Sequence, residues 1–156
     1  MALNHPPQHG SGEAEYLQGE MMSDIRHEYI FGEIHMVAGA GRDHQRISRN
    51  ISLAFTQFLD DKPCEPFTGE MTAKADKCFF YPDILVVCGD EQGNDYYTEQ
   101  PCIFIEILSK TARRLDQTTK LTAYKRLPSL NVLDIYHRVD NEDMRDYLQQ
   151  FAQQAM

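Results

Sequence analysis

A mixed α/β or α+β fold with a central sheet follows from three features of this 156-residue chain. Short runs rich in β-branched and aromatic residues, such as Ile84–Cys88 (ILVVC) and Cys102–Leu108 (CIFIEIL), read as strands. They are interleaved with stretches of helical periodicity, one before and one after the strand cluster, so helices flank the sheet. The length matches one domain with a proper core. No repeat or linker divides it, so residues 11–156 are expected to form that domain, preceded by a disordered lead over residues 1–10.

Taken in order, Ser11 to Met22 reads as a short helix with Ser11 as N-cap and acids in its first turn. His27 to Phe31 and Glu33 to Ala38 are strand segments about a tight turn at Gly32. The following Gly39-Ala40-Gly41 is too short and wrongly placed for a phosphate-binding loop. Arg42 to Asp60 is the strongest helix, capped by Asp43. Its Ile47, Ile51, Ala54, Phe55 and Phe58 form one apolar stripe that should pack on the sheet.

Asp61 to Glu70 turns the chain into a short strand near Cys64 to Thr68, with Met71 to Ala75 as its candidate partner. Phe79 to Cys88 reads as a buried strand, in which Pro82 requires an edge position or a bulge. A polar loop, Asp90 to Gln100, leads to Cys102–Leu108, apolar on both faces apart from Glu106. Ser109 or Thr111 can cap a helix running to Arg126 and closed by Pro128. Val132 to His137 is a last strand, and Asn141 to Met156 a polar C-terminal helix.

Charge narrows the function classes. The chain carries −9 overall, which argues against a general nucleic-acid binder. Lys110 to Arg126, however, holds six basic residues against one acid, a local +5 beside −14 for the remainder. That segment is either a solvated helix face or a place where a phosphate backbone approaches. No apolar run reaches the ~18 residues of a membrane span. The N-terminus lacks the basic start and apolar centre of a secretory signal, so a cytoplasmic location with reduced thiols is expected. Cys64, Cys78, Cys88 and Cys102 form no C-x-x-C pair, and none of the six histidines belongs to an H-E-x-x-H motif, leaving a zinc site poorly supported.

Two carboxylates stand out. Asp83 and Glu106 each interrupt an apolar, β-branched run, where an ionised group is costly unless paired or bound to a cation. Asp83 alone reads as a turn aspartate after proline, and Glu106 alone as half of a buried ion pair. On neighbouring strands, the two offer hard oxygen ligands suited to Mg2+ or Mn2+. Lys120, on the following helix, could orient water or stabilise a pentavalent phosphate; it could equally be an exposed lysine paired with Asp116. Glu33 follows a turn, and His44 begins the long helix.

In combination, EYIFGEIHMVAGAGRDHQRISRNI, YPDILVVCGD and IEILSKTARRLDQTTKLTAYKRLPSL resemble the Uma-two family of the PD-(D/E)XK nuclease superfamily, over about Glu13 to Leu130. The resemblance implies a restriction-endonuclease-like fold, a central mixed β-sheet flanked by helices, and Mg2+-dependent hydrolysis of DNA by a homodimer. It assigns Asp83 and Glu106 to the metal and Lys120 to the catalytic lysine, with Leu108 standing where the superfamily lysine would fall. It also gives Glu33 a loose role in metal binding and His44 one in phosphate contact. The basic residues Lys110, Arg113 and Arg114 would meet DNA. After Leu130 the chain departs from the family pattern, which leaves its final strand open to rearrangement or loss. The alternative is a catalytically inactive interaction module keeping the nuclease fold.

Overall fold

The computed structural model describes residues 12–89, 94–107, 114–130 and 132–136, the side chains of 114–117 and 132–136 excepted. The expected N-terminal lead, the C-terminal helix, Leu108, Lys110 and Arg113 lie outside these residues. Helix α1 (Glu13–Met21) is capped by Gly12 instead of Ser11. Strands β1 (His27–Ile30) and β2 (Glu33–Met36) form an antiparallel hairpin. Phe31 and Gly32 at its tip both have positive φ, 48° and 92°. A two-residue turn with both residues left-handed matches the twist of the strands it joins, and glycine takes the second position without strain.

Helix α2 (Arg42–Phe58) is capped by Gly41, while Asp43 lies in the first turn and pairs with Arg46. Its apolar stripe is seated as the periodicity predicts. Ile51 and Phe55 are fully buried against Ile84, Val86, Ile103 and Ile105, with Ile47, Ala54 and Phe58 around them. At roughly 1.5–3 kcal/mol for each fully buried large apolar side chain, this layer is a main source of stability.

The remaining strands are β3 (Cys64–Thr68), β4 (Thr72–Ala75), β5 (Cys78–Phe80), β6 (Ile84–Cys88), β7 (Tyr97–Thr98), β8 (Pro101–Ile107) and β9 (Val132–Tyr136), with helix α3 (Arg114–Tyr124) between β8 and β9. They divide between two mixed sheets, ordered β2-β1-β5-β4-β7 and β3-β6-β8-β9. Three expectations change as a result. Phe79–Cys88 is not one strand: Tyr81-Pro82-Asp83 separates β5 from β6, and each half joins a different sheet. Proline cannot donate to a ladder, so the break falls where no ladder bond is needed. Met71–Ala75 does not partner Cys64–Thr68, since β3 pairs with β6 and β4 pairs with β5 and β7. Finally, β9 pairs in parallel with β8 and completes the second sheet, despite the divergent sequence after Leu130.

The same pairing overturns the expectation of four reduced thiols. Cys64 and Cys88 are direct cross-strand partners on β3 and β6 and form a disulfide, while Cys78 and Cys102 are free. Spacing in the sequence could not reveal this, because it depends on which strand β3 chooses.

Candidate active site

Two of the chain's passages between the sheets, at Gly69–Met71 and at Tyr81–Asp83, lie side by side, and the Gly69 N–H donates to the Asp83 carbonyl (3.1 Å) to tie them together. Beside them opens a cleft of about 1790 Å3. Its lining includes β1, β2, the following loop, one face of α2, and Asp83, Glu106, Lys120 and Tyr124.

Asp83 precedes β6 and Glu106 lies near the end of β8. The antiparallel register pairs Ile84 with Ile105, so one further step sets Asp83 opposite Glu106. Asp83 is held from both sides. Its Oδ2 accepts the Ile107 N–H (2.6 Å), and its Oδ1 faces His44 Nε2 at 3.0 Å, which fits a proton on that nitrogen.

Lys120 reaches the same cluster from α3. Its Nζ lies 2.7 Å from Glu28 Oε1 and 3.6 Å from Glu106 Oε1. The three side chains are largely buried, being 18%, 12% and 13% exposed respectively. The contact with two acids of the cleft replaces the exposed-lysine alternative, in which Lys120 paired only with Asp116. Burial works against the ammonium, but Glu106 and Glu28 outweigh it and raise its pKa. For Glu106, burial dominates and pushes the carboxyl from 4.5 up to about 7. Lys120 opposes that rise, and the charges of Asp83 and Glu28 add to it. Tyr124, one helical turn after Lys120, donates its hydroxyl to Glu106 Oε1 (2.9 Å). Its ring is fixed between Phe104 and Phe80, 4.0 and 5.3 Å away, and burial raises its own pKa.

The structure therefore brings together four of the five residues singled out as catalytic: Asp83, Glu106, Lys120 and His44. Glu33 is not among the residues lining the cleft. It is 63% exposed on β2 and faces His35 at 3.5 Å. Arg114 begins α3, and its side chain lies outside the described residues, with Lys110 and Arg113.

Sequence reasoning missed Glu28. Besides Lys120, its Oε1 accepts the Tyr81 N–H at 3.1 Å, binding β1 to the Pro-Asp crossing. Behind it, Glu20 of α1 takes the His27 N–H (2.7 Å) and the Tyr81 hydroxyl (2.9 Å) on one oxygen and faces His27 Nδ1 (3.1 Å) with the other. Burial raises the Tyr81 hydroxyl to about 12, so it stays a donor there. The signal for Glu28 was an acid within the His27–Phe31 strand, but alternation there is equally that of a solvated strand face.

Two mixed sheets, flanking helices and an acidic pocket at the sheet crossing define a restriction-endonuclease-like fold. The structure aligns with that of a "putative nuclease belonging to DUF820" from Anabaena variabilis ATCC 29413, at TM-score 0.60 and 20% identity. The alignment covers 70% of this chain and 64% of that one, so this chain spans less than two thirds of that protein. The uncharacterized protein sll1609 of Synechocystis sp. is 31% identical over 122 residues, covering 75% of this chain and 69% of that protein. Its counterpart slr1290, also uncharacterized, is 29% identical over 143 residues, covering 83% and 75%. Residues 13–142 match the family Uma2, described as "Putative restriction endonuclease", and the chain belongs to that family.

Proposed function

We propose that the protein is a Mg2+- or Mn2+-dependent endonuclease that hydrolyses DNA phosphodiester bonds. The observation carrying this reading is Lys120, a largely buried ammonium turned from α3 onto Glu106 and Glu28, beside Asp83.

The donor set suits the ion by its chemistry: Asp83, Glu106 and Glu28 offer only hard oxygen atoms. Among the described residues no group of three such side chains is preassembled to hold a metal. Two carboxylates still suffice, because Mg2+ is commonly held by one or two carboxylates with water and substrate phosphate completing its shell. Asp83 and Glu106 are the residues that would hold it. When bound, the cation would lower the pKa of water and neutralise phosphate charge.

The chain's own residues supply the rest. The ammonium of Lys120 would stabilise negative charge developing on a pentavalent phosphate and would orient the attacking water. Tyr124 fixes Glu106 through Oε1 and leaves Oε2 for other partners. His44 and the Ile107 N–H fix the plane of the Asp83 carboxylate. The segment carrying Lys110, Arg113 and Arg114 would approach the DNA backbone. A homodimer would supply the two sites that palindromic cleavage needs, and the cytoplasm would supply the substrate; among the described residues no helix is long and apolar enough to cross a membrane.

Supercoiled plasmid incubated with Mg2+ or Mn2+ tests the reading. The wild type should nick or linearise it, and Asp83→Asn should lose that activity. No cleavage by the wild type with either ion, or equal cleavage by the variant, overturns it.

The catalytically inactive interaction module has one observation in its favour: Lys120 is an ion-pair partner for both Glu28 and Glu106. Thermal melting with Mn2+ separates the two readings, since a ligand that binds only the native state raises Tm. A rise supports the nuclease; none supports the module.

A further inference from the structure

The cleft has a wall that the acid cluster touches only through His44. His44, Gln45, Ser48, Arg49 and Ser52 of α2 all line it. By helical periodicity His44 and Ser48 border the stripe of the buried Ile51 and Phe55, while Gln45, Ser52 and, furthest round, Arg49 turn away from it. His44 anchors one end of that wall at Asp83. Arg49 lies about 7.5 Å further along the helix axis, from the rise per residue of an α-helix.

The charges lining the cleft sort unevenly. Glu28, Glu70, Asp83 and Glu106 are its carboxylates, and Arg26, Arg49 and Lys120 its permanent cations. Arg26 faces Glu70 at 3.5 Å, donates to the Gly69 carbonyl, and lies over the Tyr81 ring. Lys120 is held by Glu28 and Glu106. Arg49 is exposed and meets no carboxylate among the described residues. It is the cation the cleft leaves uncommitted, on the wall that leads away from Asp83.

From this placement we propose that the cleft face of α2 is the track for a nucleic-acid strand, with Arg49 taking a backbone phosphate beyond the one at the acid cluster. The proposal rests on the reading of the substrate as DNA and adds where its backbone lies. Ser48 and Ser52 offer hydroxyl donors to the same strand, while Arg49 contributes the charge. A guanidinium suits this role because its fork of donors matches phosphate oxygens in pairs. Arg49 stands on α2, whereas Lys120 reaches the same cleft from α3, so the two cations come from different walls.

Binding, measured apart from cleavage, tests the track. A fluorescein-labelled oligonucleotide, single-stranded in one arm and duplex in the other, is titrated with full-length protein and Ca2+ by fluorescence anisotropy between 50 and 200 mM KCl. Arg49→Ala should reduce the slope of log K against log salt by about 0.9 on duplex or about 0.7 on single strand, the loss of one phosphate contact. The arm showing the loss identifies the form of DNA bound. Arg49→Lys should keep the slope, and Arg42→Ala, exposed and outside the cleft lining, should leave it unchanged. An unchanged slope in Arg49→Ala, an equal loss in Arg42→Ala, or no binding by the wild type at 50 mM overturns the track. If Arg49→Ala loses the slope while wild type fails to cut plasmid, the track stands and the nuclease reading falls. If plasmid is cut and the slope is unchanged, only the track falls.

Discussion

Lys120 sits between Glu28 and Glu106, so its removal should be felt in stability as well as in activity. Lys120→Met leaves two largely buried carboxylates without their shared cation, a loss of about 3–5 kcal/mol for a pair broken from one side. Urea unfolding at pH 8 should read a loss of that order, and at pH 5.5 a smaller one, because Glu106 then carries a proton. The direction follows from its carboxyl, raised by burial from 4.5 to about 7. The folded state holds that proton more tightly, so the group's contribution is fully present below 4.5 and is lost as pH rises through 7. A bound divalent cation needs the ionised form and reverses the trend. The Mn2+-induced rise in Tm should therefore be large at pH 8 and nearly absent at pH 5.5; a rise equal at both values would show that Glu106 is not a ligand. Asp83 and Glu106 could be read from sequence because a carboxylate inside an apolar run needs a partner. Glu28 could not, since its partner Lys120 stands 92 positions away.

At the scale of elements, the helices and most strands were legible, and their pairing was not. Periodicity fixed the inward face of α2, because a stripe at i, i+4 and i+7 has only one direction to bury. It could not say that ILVVC would leave the strand before it and join another sheet, since Pro82 permits an edge, a bulge or a break equally. The disulfide belongs to the same class of unreadable features, as it exists only once β3 has chosen β6. It joins residues 24 apart, for which the loss of chain entropy in the unfolded state is about 3.5 kcal/mol. Cys88→Ser should lower the free energy of unfolding by up to that amount, measured against wild type under non-reducing conditions. The variant should retain its fold, because β3 and β6 remain paired along five residues. If wild type and variant unfold alike without reductant, the bond contributes nothing in solution.

Over the whole molecule, the acidic cluster gathers one group from each of four regions: Glu28 from β1, Asp83 from the crossing, Glu106 from β8 and Lys120 from α3. None of the four is a sequence neighbour of another. Contacts that close long loops form late and slowly in folding, since the chain must give up its freedom before they reward it. A polypeptide emerging from the ribosome would thus carry all three acids before the ammonium that completes the set. Until α3 has been synthesised and has docked, a growing chain lacks the cation that Glu28 and Glu106 share, and a chain truncated before α3 never acquires it. With the lysine on a helix after the last acid, instead of two residues beyond it on the same strand, the four-residue cluster is complete only once that helix has docked.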